Sequence, residues 1–125
     1  MKKMIFREFD PVIYPLKLWV TVTNRIEDLN ENFTTISGDN IYLDASSDIE
    51  ALVPKVILQY NDLNGVLINF SSKRCMTIKY ICHEVNHALK LIWEHLNEDV
   101  IGEEAEAYLA GWIGECIEKV KLNKE

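Results

Sequence analysis

The sequence predicts an α+β domain in which a mostly antiparallel, twisted sheet comes first and two helices come last. Residues 4–22 are rich in β-branched and aromatic side chains, and apolar runs over residues 55–70 flank a polar turn. From residue 77 onward, apolar positions recur every three or four residues, which is the period of an amphipathic helix. A chain of 125 residues is long enough for one core, so a single domain over residues 1–125 is expected.

Two strands are expected first, at Met4–Phe9 and Val12–Val22, with Asp10 and Pro11 between them. Pro15 has no backbone N–H to donate to a ladder, so it indicates an edge or a bulge. Further short elements are expected downstream: a helix capped by Thr23 or Asn24 and ending near Asn30, strands at residues 34–37 and 40–43, and a helical turn opened by Ser47-Asp48-Ile49-Glu50.

A hairpin is expected where the apolar runs Lys55–Tyr60 and Gly65–Phe70 flank a polar segment at residues 61–64. Asn64-Gly65 is a dipeptide that adopts positive φ readily, so the turn is expected there.

A long helix is expected over Thr77–Leu96, a stretch without Pro or Gly. Its apolar stripe comprises Ile78, Ile81, Cys82, Val85, Leu89, Ile92 and Leu96. His83 and His87 fall at the edge of this stripe and are expected to be half-buried beside a cleft. Cys82 lies about 100° around the helix from His83, so we expect it to pack in the core rather than to act as a ligand or nucleophile.

The run His83-Glu84-Val85-Asn86-His87 carries the candidate chemistry. Positions i and i+4 of a helix project from the same face, so His83 and His87 can both donate a ring nitrogen to one Zn²⁺ ion. Glu84 lies beside that face, where it can take a proton from a water molecule activated by the metal. This spacing is the H-E-x-x-H pattern of zinc hydrolases.

A second helix, over about Glu103–Lys121, is expected to supply a third ligand. Its buried stripe is expected to comprise Ala105, Tyr108, Leu109, Trp112, Ile113, Cys116, Ile117 and Val120. Glu104 precedes Tyr108 by four residues and so leads into this stripe, and Glu103 is the fallback ligand. The alternative explanation is that acidic residues in a first turn are stabilised by the helix macrodipole, by about 0.3–1 kcal/mol, without any metal.

The H-E-x-x-H run followed by Glu104-Ala105 and Tyr108 resembles the ImmA/IrrE group of small zincin-like metallopeptidases, over about residues 77–117. The strings Cys82-His83-Glu84 and Gly102-Glu103-Glu104 are also similar to short phage- or prophage-encoded proteins of gut bacteria. The resemblance implies a zincin-like fold, with a sheet followed by the motif helix and a C-terminal packing helix. It also implies His83, His87 and Glu104 as zinc ligands and Glu84 as general base.

The leading hypothesis is therefore a zinc metallopeptidase that hydrolyses a peptide bond of a protein or peptide substrate. Tyr108 is the candidate donor to the oxyanion, and its alternative role is that of a half-buried aromatic between the helices. An edge strand can hold an extended peptide, and the strands at 55–60 and 65–70 are the candidates. Two alternatives stay open: a zinc-binding protein without turnover, and a metal-free interaction module.

Composition argues against two classes of partner. The net charge is −7 and no basic stripe is present, so a nucleic-acid partner is not expected. The N-terminal residues 5–10 carry charges where an export or membrane segment needs a continuous apolar run. Cys75, Cys82 and Cys116 have no C-x-x-C spacing, so a reducing cytoplasm is expected.

Overall fold

A mixed β-sheet with helices on both faces forms the framework of the protein. The computed structural model describes residues 4–11, 14–41, 51–59, 62–95 and 103–123. The strands are β1 Ile5–Phe9, β2 Lys17–Val22, β3 Phe33–Thr35, β4 Ala51–Leu52, β5 Lys55–Leu58 and β6 Leu63–Phe70. The helices are α1 Ile26–Asn32, α2 Ile78–His95 and α3 Glu103–Lys121, with a 3₁₀ turn at Lys73–Cys75 before α2.

The strand order is β1-β2-β6-β5-β3, and the short β4 pairs with β6 next to β5. The central pair, β2 and β6, is parallel, whereas the ladders β1–β2, β3–β5, β4–β6 and β5–β6 are antiparallel. The predicted α+β class and the mostly antiparallel sheet are therefore confirmed. The parallel pair at the centre was not predicted, because strand partners that are distant in the chain are not encoded by local pattern.

This strand order contradicts the prediction that the strand at 55–60 or 65–70 forms the free edge. β6 lies between β2 and β5, and β5 lies between β6 and β3, so both strands are interior. Within the described ranges, the strands with one partner are β1, β3 and β4. An apolar run cannot distinguish an interior strand from an edge strand that a helix covers, which is why the prediction was wrong.

Alternate residues of the central strands pack into two hydrophobic cores, one on each face of the sheet. Leu18, Val20 and Ile68 point to the face that α2 and α3 cover, and all three are fully buried or nearly so. Trp19 and Leu67 point to the opposite face, where they pack with a second set of buried residues from α1, β3 and β5: Leu29, Phe33, Val56 and Leu58. α2 packs against α3 and, on the sheet, against β6 and β4, whereas α3 packs against β1 and β2.

Most predicted elements are present, with shifted boundaries. The two long helices begin and end within one residue of the predicted positions. The second strand begins at Lys17 rather than Val12, because residues 14–16 form a bend, and Val12 and Ile13 lie outside the described residues. The predicted turn at 47–50 and most of the strand at 40–43 also lie outside them, and α1 begins at Ile26 without a side-chain cap.

The hairpin between β5 and β6 is confirmed, but its turn differs from the prediction. Within the described part of the turn, Asp62 has positive φ, at 58°, whereas Asn64 and Gly65 lie inside β6. Gly65 serves a different purpose, because it pairs with Lys17 across the parallel ladder. A Cβ atom at this position would overlap the carbonyl oxygen of Lys17 and lie 2.6 Å from the ring of Trp19.

A buried polar pair crosses the same ladder, and it yields a stability prediction. Thr21 Oγ1 donates to Asn69 Oδ1 at 2.8 Å, and Asn69 Nδ2 donates to the carbonyl of Thr23 at 3.2 Å. Thr21→Val would leave the buried amide oxygen without its donor, so we expect the free energy of unfolding in urea to fall by about 1–3 kcal/mol. The control Thr35→Val, at an exposed hydroxyl, should cost less than half of that. Equal losses would contradict this account.

Candidate functional site

Helix α2 presents the motif, but its buried face differs from the predicted stripe. As predicted, Ile92 is buried and Ile81, Val85 and Leu89 pack partly buried against the core. Glu84, Ala88 and Trp93 are also buried, and the predicted stripe does not include them. Ile78 is 80% exposed and Cys82 is exposed, so the prediction that Cys82 packs in the core is wrong. Periodicity shows that a helix is amphipathic, but it does not show which edge of a broad apolar stripe meets the sheet.

His83 and His87 lie together on the surface of α2. Their Nε2 atoms are 3.1 Å apart, and their rings meet at 70° with centroids 4.7 Å apart. The side chain of His83 is 64% exposed and His87 is also exposed, so the prediction that the pair is half-buried is wrong. This separation is that of a hydrogen bond between the two rings. It is also close to the distance of about 3.3 Å between two nitrogens bound to one tetrahedral zinc at 2.0–2.1 Å.

Glu84 lies beneath the histidine pair rather than beside it. The residue is 6% exposed, and its Oε1 atom is 3.7 Å from His83 Nε2. Burial raises the pKa of the Glu84 carboxyl above its ordinary value, while the charges of His83 and His87 oppose this change. The arrangement holds one carboxyl oxygen of Glu84 near a ring nitrogen of His83, in a place with little access to bulk water.

The third ligand remains a prediction. Among the residues that the structure describes, no three His, Cys, Asp or Glu side chains are grouped as a metal site. Glu103 and Glu104 open α3, but their side chains lie outside the described residues. Tyr108 is 76% exposed, so the argument that Glu104 leads into a buried stripe through Tyr108 is wrong. The rest of the predicted stripe is largely confirmed, because five of its residues are buried: Leu109, Ile113, Cys116, Ile117 and Val120.

Tyr108 does not join the motif in any described contact. It lines an open groove of about 370 Å³ together with Pro11, Tyr14, Ala105, Leu109 and Trp112, and α2 contributes no residue to this lining. Its alternative role as a half-buried aromatic between the helices is also wrong, because its side chain is mostly exposed. The structure thus brings together His83, Glu84 and His87, while the oxyanion role of Tyr108 stays a prediction.

An ion pair on the histidine face of α2 was not predicted from the sequence. Glu94 lies seven residues after His87, which places both within about 20° of each other around the helix. Glu94 Oε1 is 2.9 Å from Lys55 Nζ at the start of β5. The histidine face of α2 is therefore turned toward the side of the sheet formed by β4 and β5. The spacing of residues 83, 87 and 94 could have indicated the common face, but not its partner in the sheet.

Cys116 is buried on α3, and this yields a prediction for alkaline pH. Burial raises the pKa of its thiol to about 12, against about 8.5 in an unfolded chain. Above the unfolded value the unfolded state loses this proton first, so stability should fall by up to about 1.4 kcal/mol per pH unit until the folded pKa is reached. Below the unfolded value the group has no effect, because both states hold the proton.

Urea unfolding of Cys116→Ala between pH 9 and 10.5 measures this contribution. We expect the slope of stability against pH to be shallower than in the wild type by about one proton. Cys82→Ala is the matched control, because it removes an exposed thiol. If both variants changed the slope equally, burial of Cys116 would not be the cause.

None of the helices within the described ranges is both long and apolar enough to span a bilayer. Comparisons of the chain with protein-family models, with curated proteins and with solved structures find no match. Function must therefore be inferred from the motif residues and their arrangement.

Proposed function

We propose that this protein is a zinc-dependent peptidase whose centre is formed on α2. The observation that carries the proposal is the convergence of His83 Nε2 and His87 Nε2 at 3.1 Å, with the buried carboxyl of Glu84 against the first of them. Two exposed imidazoles and one sheltered carboxylate match the two tasks of such a site. The imidazoles hold a metal open to solvent and substrate, and the carboxylate handles protons.

His83, His87 and one carboxylate would hold the zinc ion, and Glu104 is the first candidate for that carboxylate. Two-His-one-carboxylate sets are common in catalytic zinc sites and leave a coordination position open. When bound, zinc would make a water molecule more acidic and polarise the scissile carbonyl. The exposure of both rings suits this purpose, since a substrate must reach the same side of the helix.

Glu84 would act as the general base. Its Oε1 atom would accept a proton from the attacking water as the new C–O bond forms at the amide carbon. The same oxygen would then donate that proton to the leaving nitrogen as the C–N bond breaks. Because Glu84 is only 6% exposed, bulk water competes poorly for this proton.

The substrate would add as an extended strand along β4. This role was predicted for β5 or β6, but both of those strands are interior. β4 pairs only with β6 in the described part of the chain, and α2 packs against both strands. Glu94, on the histidine face of α2, pairs with Lys55 at the start of β5 on this side of the sheet. An extended peptide that adds to β4 through main-chain hydrogen bonds would therefore run beside the histidines.

Zinc content tests the metal centre. Protein purified without a metal-affinity step and dialysed at neutral pH should contain about one zinc per chain by elemental analysis, as expected for a single site. His83→Ala and His87→Ala should each lose it, since one imidazole cannot hold zinc with a lone carboxylate. Glu94→Gln is the matched control, because it changes a carboxylate on the same helix face that is paired with Lys55.

The zinc content of three variants identifies the third ligand: Glu103→Gln, Glu104→Gln and Glu106→Gln. We expect only Glu104→Gln to lose zinc. Wild-type protein without zinc would overturn the proposal and favour a metal-free interaction module. Zinc retained without cleavage of a peptide library would indicate a zinc-binding protein without turnover. We also propose that the protein is cytoplasmic and belongs to a phage or mobile element. The three free cysteines agree with a reducing compartment.

A further inference from the structure

A second surface, away from the histidine pair, has the features of a peptide-binding site. It consists of two open grooves that meet at Tyr14, which lines both of them. The first groove has a volume of about 370 Å³ and is lined by Pro11, Tyr14, Tyr108, Leu109 and Trp112 together with Ala105. Neither groove includes His83, Glu84 or His87, although Ala105 and Tyr108 of the first groove follow the candidate ligand Glu104 along α3.

The first groove is lined by aromatic side chains, is accessible to solvent, and is supported from behind by a buried tryptophan. Tyr108 is 76% exposed, which makes it one of the most exposed large hydrophobic residues described. The ring of Tyr14 packs edge-on against Trp93, with centroids 5.7 Å apart, and Trp93 is itself 7% exposed. Tyrosine and tryptophan side chains held in this way lose little entropy on binding and are enriched among the residues that dominate binding energy.

The second groove, of about 360 Å³, is acidic. Its charged residues are Asp10, Lys17 and Asp62. Lys17 Nζ donates to Asp10 Oδ2 at 2.8 Å, so that ammonium is already neutralised by a carboxylate. Asp62 is exposed and forms no ion pair with a described residue, which leaves this groove with negative charge in a chain of net charge −7.

We propose that the two grooves together bind an extended peptide segment in which an aromatic or aliphatic side chain is followed by lysine or arginine. The apolar side chain enters the groove between Tyr14, Tyr108 and Trp112, where it removes their rings from water. The following cation faces Asp62 across Tyr14, whose ring adds a favourable cation–π contact. The charge of the second groove excludes a peptide that carries carboxylates at the same position.

Nuclear magnetic resonance of full-length ¹⁵N-labelled protein carrying Glu84→Gln tests this proposal, because that variant does not consume a probe. The three tryptophan indoles lie in different surroundings, so we expect them to give separate signals. Trp112 lies in the groove, whereas Trp19 is buried on the other face of the sheet with its indole bonded to Glu8, so it serves as the internal control. The probe is the blocked peptide acetyl-Gly-Phe-Lys-Lys-Gly-amide, compared with Gly-Phe-Glu-Glu-Gly and Gly-Gly-Lys-Lys-Gly in the same blocked form.

We expect the first peptide to shift the Trp112 signal saturably, leave Trp19 unchanged, and bind about tenfold more tightly than either comparison peptide. Tyr108→Ala should weaken binding about tenfold, and the control Ile36→Ala, at a 50% exposed residue outside both grooves, should not. Asp62→Asn should abolish the preference for lysine over glutamate, and asparagine tolerates the positive φ at this position.

Several results would overturn the proposal. Absence of a saturable Trp112 shift, or equal binding of the lysine and glutamate peptides, would remove the recognition of a basic peptide. A Tyr108→Ala variant with unchanged affinity would place binding elsewhere. Shifts that depend on protein concentration without any peptide would assign the grooves to a second copy of the chain. None of these outcomes bears on zinc content or cleavage, so the proposed function succeeds or fails separately.

Discussion

Replacement of Glu84 by glutamine is expected to reduce peptide hydrolysis by about 10²–10⁴-fold, which is the usual contribution of a general base. The amide has nearly the same shape as the carboxyl group but cannot accept and return a proton. Because Glu84 is 6% exposed and lies on the same face of α2 as the buried Ala88 and Ile92, a neutral amide should be accommodated without unfolding. Cleavage of a peptide library by zinc-loaded protein, followed by mass spectrometry, measures the loss.

The zinc content of Glu84→Gln should equal that of the wild type, since Glu84 is not a proposed ligand. Glu94→Gln again serves as the matched control, and it should retain cleavage because Glu94 pairs with Lys55 and not with a histidine. An unchanged cleavage profile in Glu84→Gln would remove Glu84 from the mechanism. Loss of zinc together with activity would instead make Glu84 a ligand or a residue that holds His83 in place.

Gly65→Ala is expected to lower the free energy of unfolding by about 3 kcal/mol, the upper part of the range for overpacking. The added Cβ would overlap the carbonyl oxygen of Lys17 and press on the ring of Trp19, which is fully buried. Displacing either neighbour would cost free energy, because Lys17 pairs with Gly65 in the parallel ladder and Trp19 lies in the second core. Urea unfolding monitored by tryptophan fluorescence measures the change.

Gly111→Ala is the matched control, and its effect should have the opposite sign. A Cβ at Gly111 would meet no atom within 4 Å, apart from the backbone of its own helix and its chain neighbours. Alanine in the interior of α3 should therefore stabilise the protein by about 0.5–1 kcal/mol, because glycine loses more backbone freedom in a helix. If both variants destabilised equally, the contact between β2 and β6 would not be the reason for glycine at position 65.

Much of the secondary structure could be predicted, because it follows from patterns within short stretches of the sequence. The helices at 78–95 and 103–121 were predicted almost to the residue, because their apolar spacing is strong and no Pro interrupts it. The β5–β6 hairpin was predicted in the same way. The parallel pairing of β2 with β6 was not, because 40 or more residues separate the partners and no local pattern selects one strand over another.

The candidate site was predicted in part. That His83 and His87 share a face follows from helix geometry alone, and the structure places their nitrogens 3.1 Å apart. Their exposure, the burial of Glu84 and the phase of α3 around Tyr108 depend on how each helix is rotated against the sheet. That rotation is decided by packing of side chains from distant strands, so periodicity could not provide it.

By itself, the sequence determined the order of strands and helices and the spacing that makes His83 and His87 neighbours, because both follow from interactions within a few residues along the chain. Only the tertiary structure decided that Glu84 is sheltered while the histidines are exposed, and that Glu94 on their face of the helix pairs with Lys55 of β5. These features depend on contacts between segments far apart in the chain, whose free energy is settled only when the helices pack on the sheet.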